Sequence, residues 1–150
     1  MGPTPDTPPG AAPSPGRPRG STLLLVSAIC ALIVVVAAFM PWATALGFIS
    51  VSGTTGDGAI TLALGLIGMI LAVWGSGRVL PAPANTLIMP VLSTIAGGLV
   101  AIIAGIDLGN IGAQLEEAGG LVTPGAGLIL TLLFGIAWFA LSMTAIFRRD

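Results

Sequence analysis

Histidine, lysine and tyrosine are absent from this 150-residue chain, and cysteine occurs once, at Cys30. Each absence removes a class of chemistry. Without histidine there is no imidazole base, no histidine-ligated haem and no zinc site of the usual histidine type. A lone cysteine forms no internal disulfide and supplies no redox pair of the kind used by four-helix membrane disulfide or quinone-linked enzymes. Charge is scarce as well. Only 7% of residues are charged, where a water-soluble domain carries about a quarter. All basic charge comes from Arg17, Arg19, Arg78, Arg148 and Arg149, and the formal net charge is −1. A chain this poor in cations has no nucleic-acid footprint, so nucleic acid is excluded as a partner.

Apolar residues fill the space, at 55% of the chain. The run from Thr22 to Met40 contains no charge and nothing more polar than Ser, Thr and Cys. At about 1.5 Å per residue it reaches about 30 Å, the thickness of a bilayer's hydrocarbon core. Its eleven Leu, Ile, Val and Phe residues sum to roughly −3 to −7 kcal/mol in favour of insertion. Three more runs repeat the theme. The pattern predicts helices over about 22–41, 59–75, 86–106 and 124–147. The fold class expected is an all-α membrane protein, a four-transmembrane-helix antiparallel bundle over 21–150 with a disordered tail over 1–20.

The tail is rich in Pro, Gly and Ala, which form no helix and bury no core. Its two PxxP spacings, Pro5 to Pro8 and Pro15 to Pro18, fit a polyproline-reading partner less well than a simple solvated tail. Ala43 and Ala45 imitate a signal-cleavage pattern, but the preceding apolar run exceeds the 7–15 residues typical of a signal core. The first helix is therefore read as retained, ending near Pro41-Trp42 with the Trp ring at the interface.

Ile49 and Val51 alternate with Ser50 and Ser52, a short strand-like pattern inside the loop that follows. Asp57 stands where the N-cap of the second helix belongs. Asn85 is a candidate cap for the third helix, with Pro90 near its start. In the next loop Asn110 would cap a short amphipathic turn, Ile111 to Ala118, stopped by Gly119-Gly120. Thr123 as cap and Pro124 at the first helical position would open the fourth helix.

Small residues recur four apart, and such stripes let helix backbones approach closely. They are Gly68, Ala72 and Ser76 on the second helix, Ser93, Gly97, Ala101 and Gly105 on the third, and Gly127, Thr131 and Gly135 on the fourth. The arginines sit in the tail, in the loop between helices two and three, and at the C-terminus. The other two loops hold Asp57, Asp107, Glu116 and Glu117 instead. Because short cytoplasmic loops collect Arg, a multi-pass protein of the plasma membrane with both termini cytoplasmic is expected.

No predicted span carries an ionisable residue at mid-depth, which counts against a proton-coupled pump. Ser27, Ser93, Thr94, Thr131, Ser142 and Thr144 would line a polar path, but hydrogen bonding to helix carbonyls is the commoner use of such hydroxyls. Asp57, Asp107, Glu116 and Glu117 would bind a divalent cation if their loops converge; a solvated acidic face is the commoner outcome. No catalytic, metal or cofactor residues emerge.

Pro41-Trp42, then Ser52-Gly53 and Gly56-Asp57-Gly58 entering Ile60-Thr61-Leu62, resembles a pattern in small four-helix bacterial membrane proteins common in actinobacteria. These often carry a cytoplasmic Pro-rich or zinc-ribbon N-terminus. This chain shares the Pro-rich tail and lacks the ribbon cysteines. A fainter likeness to claudin-like proteins lacks the paired Trp and Cys signature of their outer loop. The resemblance implies a fold and a compartment and carries no activity. The expectation is thus a non-enzymatic accessory or scaffolding subunit, with the lipid bilayer and another membrane protein or a second copy as partners. A small oligomeric channel or transporter is the alternative, and an enzyme acting on lipid or peptide comes third.

Overall fold

The computed structural model describes residues 19–78, 87–117 and 119–148. Four helices dominate: α1 (Arg19–Ala37), α2 (Gly58–Gly75), α3 (Ile88–Glu117) and α4 (Ala126–Phe147). Each is long and apolar enough to cross a membrane. Consecutive helices run in opposite directions, and α1 packs on α2 and α4 while α3 packs on the same two. The four thus close into a ring in chain order. Large apolar side chains cover the outside, among them Ile29, Ile67, Ile102 and Leu133, each more than half exposed. That arrangement leaves the apolar surface facing a solvent that does not penalise it, as in a multi-pass membrane protein.

The interior is made by the small residues. Gly68 lies so close to the Trp138 indole that an added Cβ would fall inside the ring. Gly97 meets the other side of the same indole, at 3.1 Å from its Cδ2 for an added Cβ. Trp138 is fully buried and reaches from α4 to α2 across the bundle. Gly127 backs onto Ala37 O and Gly135 onto Val100. Ala72, Ser76, Ser93 and Thr131 are buried, Ala101 is half-buried and Gly105 is exposed. The stripes are therefore spent almost entirely inside one copy of the chain.

The hydroxyls expected to line a path mostly turn back onto their own helices. Ser27 donates to Leu24 O (2.8 Å), Thr94 to Pro90 O (2.7 Å), Thr131 to Gly127 O (2.8 Å) and Thr144 to Ala140 O (2.7 Å). At mid-bundle, Trp138 Nε1 donates to Ser93 Oγ (3.0 Å), which in turn reaches Gly68 O (3.4 Å) and Ser142 Oγ (3.5 Å). This satisfies the polar groups where water is excluded.

A small sheet at one end of the bundle departs from the all-α expectation. Strands β1 (Pro41–Ala45), β2 (Ile49–Ser52) and β3 (Val122–Pro124) form an antiparallel sheet in the order β2-β1-β3. The alternation at 49–52 is β2. The first helix ends four residues earlier than expected, because Pro41-Trp42 belongs to β1. Trp42 does not present its N–H to an interface: it is buried, and Nε1 donates to Ala37 O at 3.2 Å.

Three cap assignments change. Thr123 is not a cap and Pro124 is not the first helical residue, since both pair with β1 and the N-cap of α4 is Gly125. Gly125 N donates to Trp42 O at 2.7 Å, and an added Cβ would strike the Pro41 carbonyl. Asp57 does hold the N-cap position of α2, but with helical φ/ψ (−62°, −17°) and no side-chain cap bond. A capping carboxylate needs extended backbone at that residue to reach forward, so this one is free for other contacts. Asn110 lies inside α3, which runs through the expected loop and amphipathic turn to Glu117. Gly119 and Gly120 (φ +62° and +88°) then turn the chain into β3. Asn85 and residues 1–18 lie outside the described residues, while Arg19 and Gly20, expected in the tail, already belong to α1.

Candidate functional site

α3 is 30 residues long, about 45 Å, against the roughly 30 Å of a hydrocarbon core. The surplus lies at its C-terminal end. Its first polar residues are Asp107, Asn110 and Gln114, and Asp107 is brought level with Asp57, which precedes α2. Asp107–Glu117 carries α3 on past Ile106, beside the sheet. Trp42, Ala104 and Leu128 form a small core beneath, with Leu108 and Ile111 packed against it.

Between this helical extension, the β1–β2 ribbon and the 3-10 turn at Gly53–Thr55 lies a cavity of about 270 Å³. Its polar lining is Ser52, Asp57, Asp107, Asn110 and Gln114, and its apolar floor includes Trp42 and Ile111. Of the four acids that convergence of the loops would have gathered, only Asp57 and Asp107 meet. Glu116 and Glu117 are exposed near the far end of α3.

Asp107 Oδ2 is buried and has no hydrogen-bond partner. Among the described residues no group of three or more His, Cys, Asp or Glu is placed to hold a metal. Asn110 and Gln114 were not anticipated as part of a site. The signal available was their spacing from Asp107, i+3 and i+7, which sets all three on one helix face.

The second feature at this end is the hairpin tip. Phe48 N donates to Ala45 O across a turn whose central residues, Leu46 and Gly47, both have positive φ (+55° and +75°). That is the geometry of a primed hairpin turn, where Asn or Gly is usual and a leucine costs about 1–2 kcal/mol. Leu46, Phe48, Ile49 and Leu121 are at least half exposed, Phe48 to 78%. Leu46 N donates to Leu121 O at 2.7 Å, which joins the tip to the segment entering β3.

No protein-family model, curated protein or solved structure matches the chain.

Proposed function

We propose that this is a multi-pass plasma-membrane protein without catalytic activity, an accessory subunit that acts by contact through its sheet-bearing end. Both termini are cytoplasmic in this reading, and the sheet with the α3 extension stands outside. The charge distribution supports that orientation. Arg78 and Arg148 lie at the opposite end of the bundle, whereas Asp57, Asp107, Glu116 and Glu117 lie at the sheet end.

The observation that carries the contact reading is the strained apolar tip. Leu46 occupies a backbone conformation it disfavours, and it does so next to Phe48 in the most exposed part of the sheet. Strain kept in an exposed apolar turn has no use in folding alone and fits a surface covered by another protein. The partner is another membrane protein or a second copy of the chain. A channel has less support, because Trp138 fills mid-bundle and the buried hydroxyls are bonded to carbonyls and to one another. The test is photo-crosslinking in intact cells from position 48, with position 116 as control. A discrete adduct from position 48 alone, identified by mass spectrometry, is expected. A protein that stays monomeric and yields no adduct overturns the reading.

A further inference from the structure

The end of the bundle away from the sheet carries a cation whose backbone and side chain are both held. α2 stops at Gly75, and Gly77 (φ +64°) takes the left-handed conformation that closes a helix C-terminus. Gly77 N donates to Trp74 O at 3.0 Å, and Arg78 N donates to Oγ of the buried Ser76 at 3.3 Å. The Arg78 side chain then crosses to α1. Nε donates to Ser21 Oγ at 3.1 Å and Nη2 to Thr22 Oγ1 at 2.9 Å.

The atoms involved show which edge of the guanidinium is in use. Nε and Nη2 form one side of the fork, and the two hydroxyls occupy that side. The Nη1/Nη2 end, with its pair of parallel N–H groups, takes no partner among the described residues. Hydroxyls carry no charge, so they orient the guanidinium without neutralising it. The described carboxylates, Asp57, Asp107, Glu116 and Glu117, all lie at the sheet end.

Depth decides which anion meets that open end. The apolar span of α1 begins at Gly20 and that of α2 ends at Gly75. Arg78 stands just past the second and holds residues just inside the first, so its fork lies where hydrocarbon gives way to headgroups. Phosphate is the anion of that layer, and a guanidinium meets it with two parallel N–H···O bonds. We propose that Arg78, oriented by Ser21 and Thr22, is a seat for the phosphate of an anionic membrane lipid. The seat requires that the bundle span a bilayer and is indifferent to which termini are cytoplasmic.

The experiment uses the full chain in nanodiscs of equal phosphatidylglycerol and phosphatidylcholine. The protein is released with its tightest lipids, which are identified by native mass spectrometry. High salt throughout screens surface charge that makes no defined contact. Wild type is expected to retain phosphatidylglycerol in preference. Arg78→Gln is expected to lower that preference about fivefold, and Arg78→Lys, which keeps the charge and loses the fork, about threefold. Ser21→Ala combined with Thr22→Val leaves the charge and removes its orientation, and a loss of about twofold is expected. Arg148→Gln removes a cation at the same end and is expected to change the preference by less than about 1.5-fold. Equal losses from Arg78→Gln and Arg148→Gln, or an unchanged preference in the double variant, overturn the seat. Release of the lipid by excess inorganic phosphate assigns the site to a soluble anion and overturns the lipid. If Arg78→Gln fails to insert, Arg78→Lys and the double variant decide by the same readout.

Discussion

In the middle of the bundle an indole lies where another helix would ordinarily have side chains. Gly68 has no Cβ, so the Trp138 ring passes over its backbone, and the ring's N–H is held by Ser93. Two outcomes follow for single residues. Gly68→Leu adds a side chain to space already filled, so a cost of about 3 kcal/mol or more is expected, seen as loss of the cooperative melt in nanodiscs. Trp138→Phe removes the donor to Ser93 and leaves a partly filled site, and a loss of about 1–3 kcal/mol is expected in the same measurement. The four-residue spacing of Gly68, Ala72 and Ser76 was readable in the sequence as a packing face. Its partner was not, because nothing local in a chain shows which side chain far away in sequence will fill a gap.

At the level of elements, the apolar runs placed the helices well, while the ends moved. The fourth helix illustrates why. Thr123-Pro124 has the chemistry of a helix start, yet its backbone pairs with β1, and pairing between distant strands outweighs a local capping preference. Thr123→Ala is therefore expected to change stability by less than about 0.5 kcal/mol, since its hydroxyl makes only a 3.4 Å contact to Thr44 O at the surface. Gly125→Ala, by contrast, drives a methyl into the Pro41 carbonyl and is expected to cost about 2 kcal/mol or more. Comparing the two melts tests the strand assignment directly. The extension of α3 was missed for a different reason. Asp107-Leu108-Gly109-Asn110 has the composition of a loop, so the apolar pattern gave no sign that the helix continues to Glu117. Of the candidate site, the acids were legible one by one; their meeting was not, because it depends on that extension.

For the molecule as a whole, the reading rests on which way the bundle is threaded. A reporter fused after Asp150 is expected to be active on the cytoplasmic side, and one inserted at Gly47, in the hairpin turn, on the outside; the reverse result refutes the orientation. The exposed tip adds an opposed pair of effects. Leu46→Asn relieves the positive-φ cost, so a gain of about 1 kcal/mol in stability is expected together with weaker crosslinking from position 48. A variant that gains stability with crosslinking unchanged shows that the leucine is not kept for contact.

The pairing of β1 with β3 has a consequence for biogenesis. β1 leaves the ribosome just after the first helix, and its partner comes only after the third. Until then Ala43–Ala45 has an open edge, and Trp42 lacks the carbonyl bond to Gly125 that secures the fourth helix. The sheet therefore cannot close before the third helix is made, so a nascent chain halted before β3 presents quality-control proteases with an unpaired strand edge.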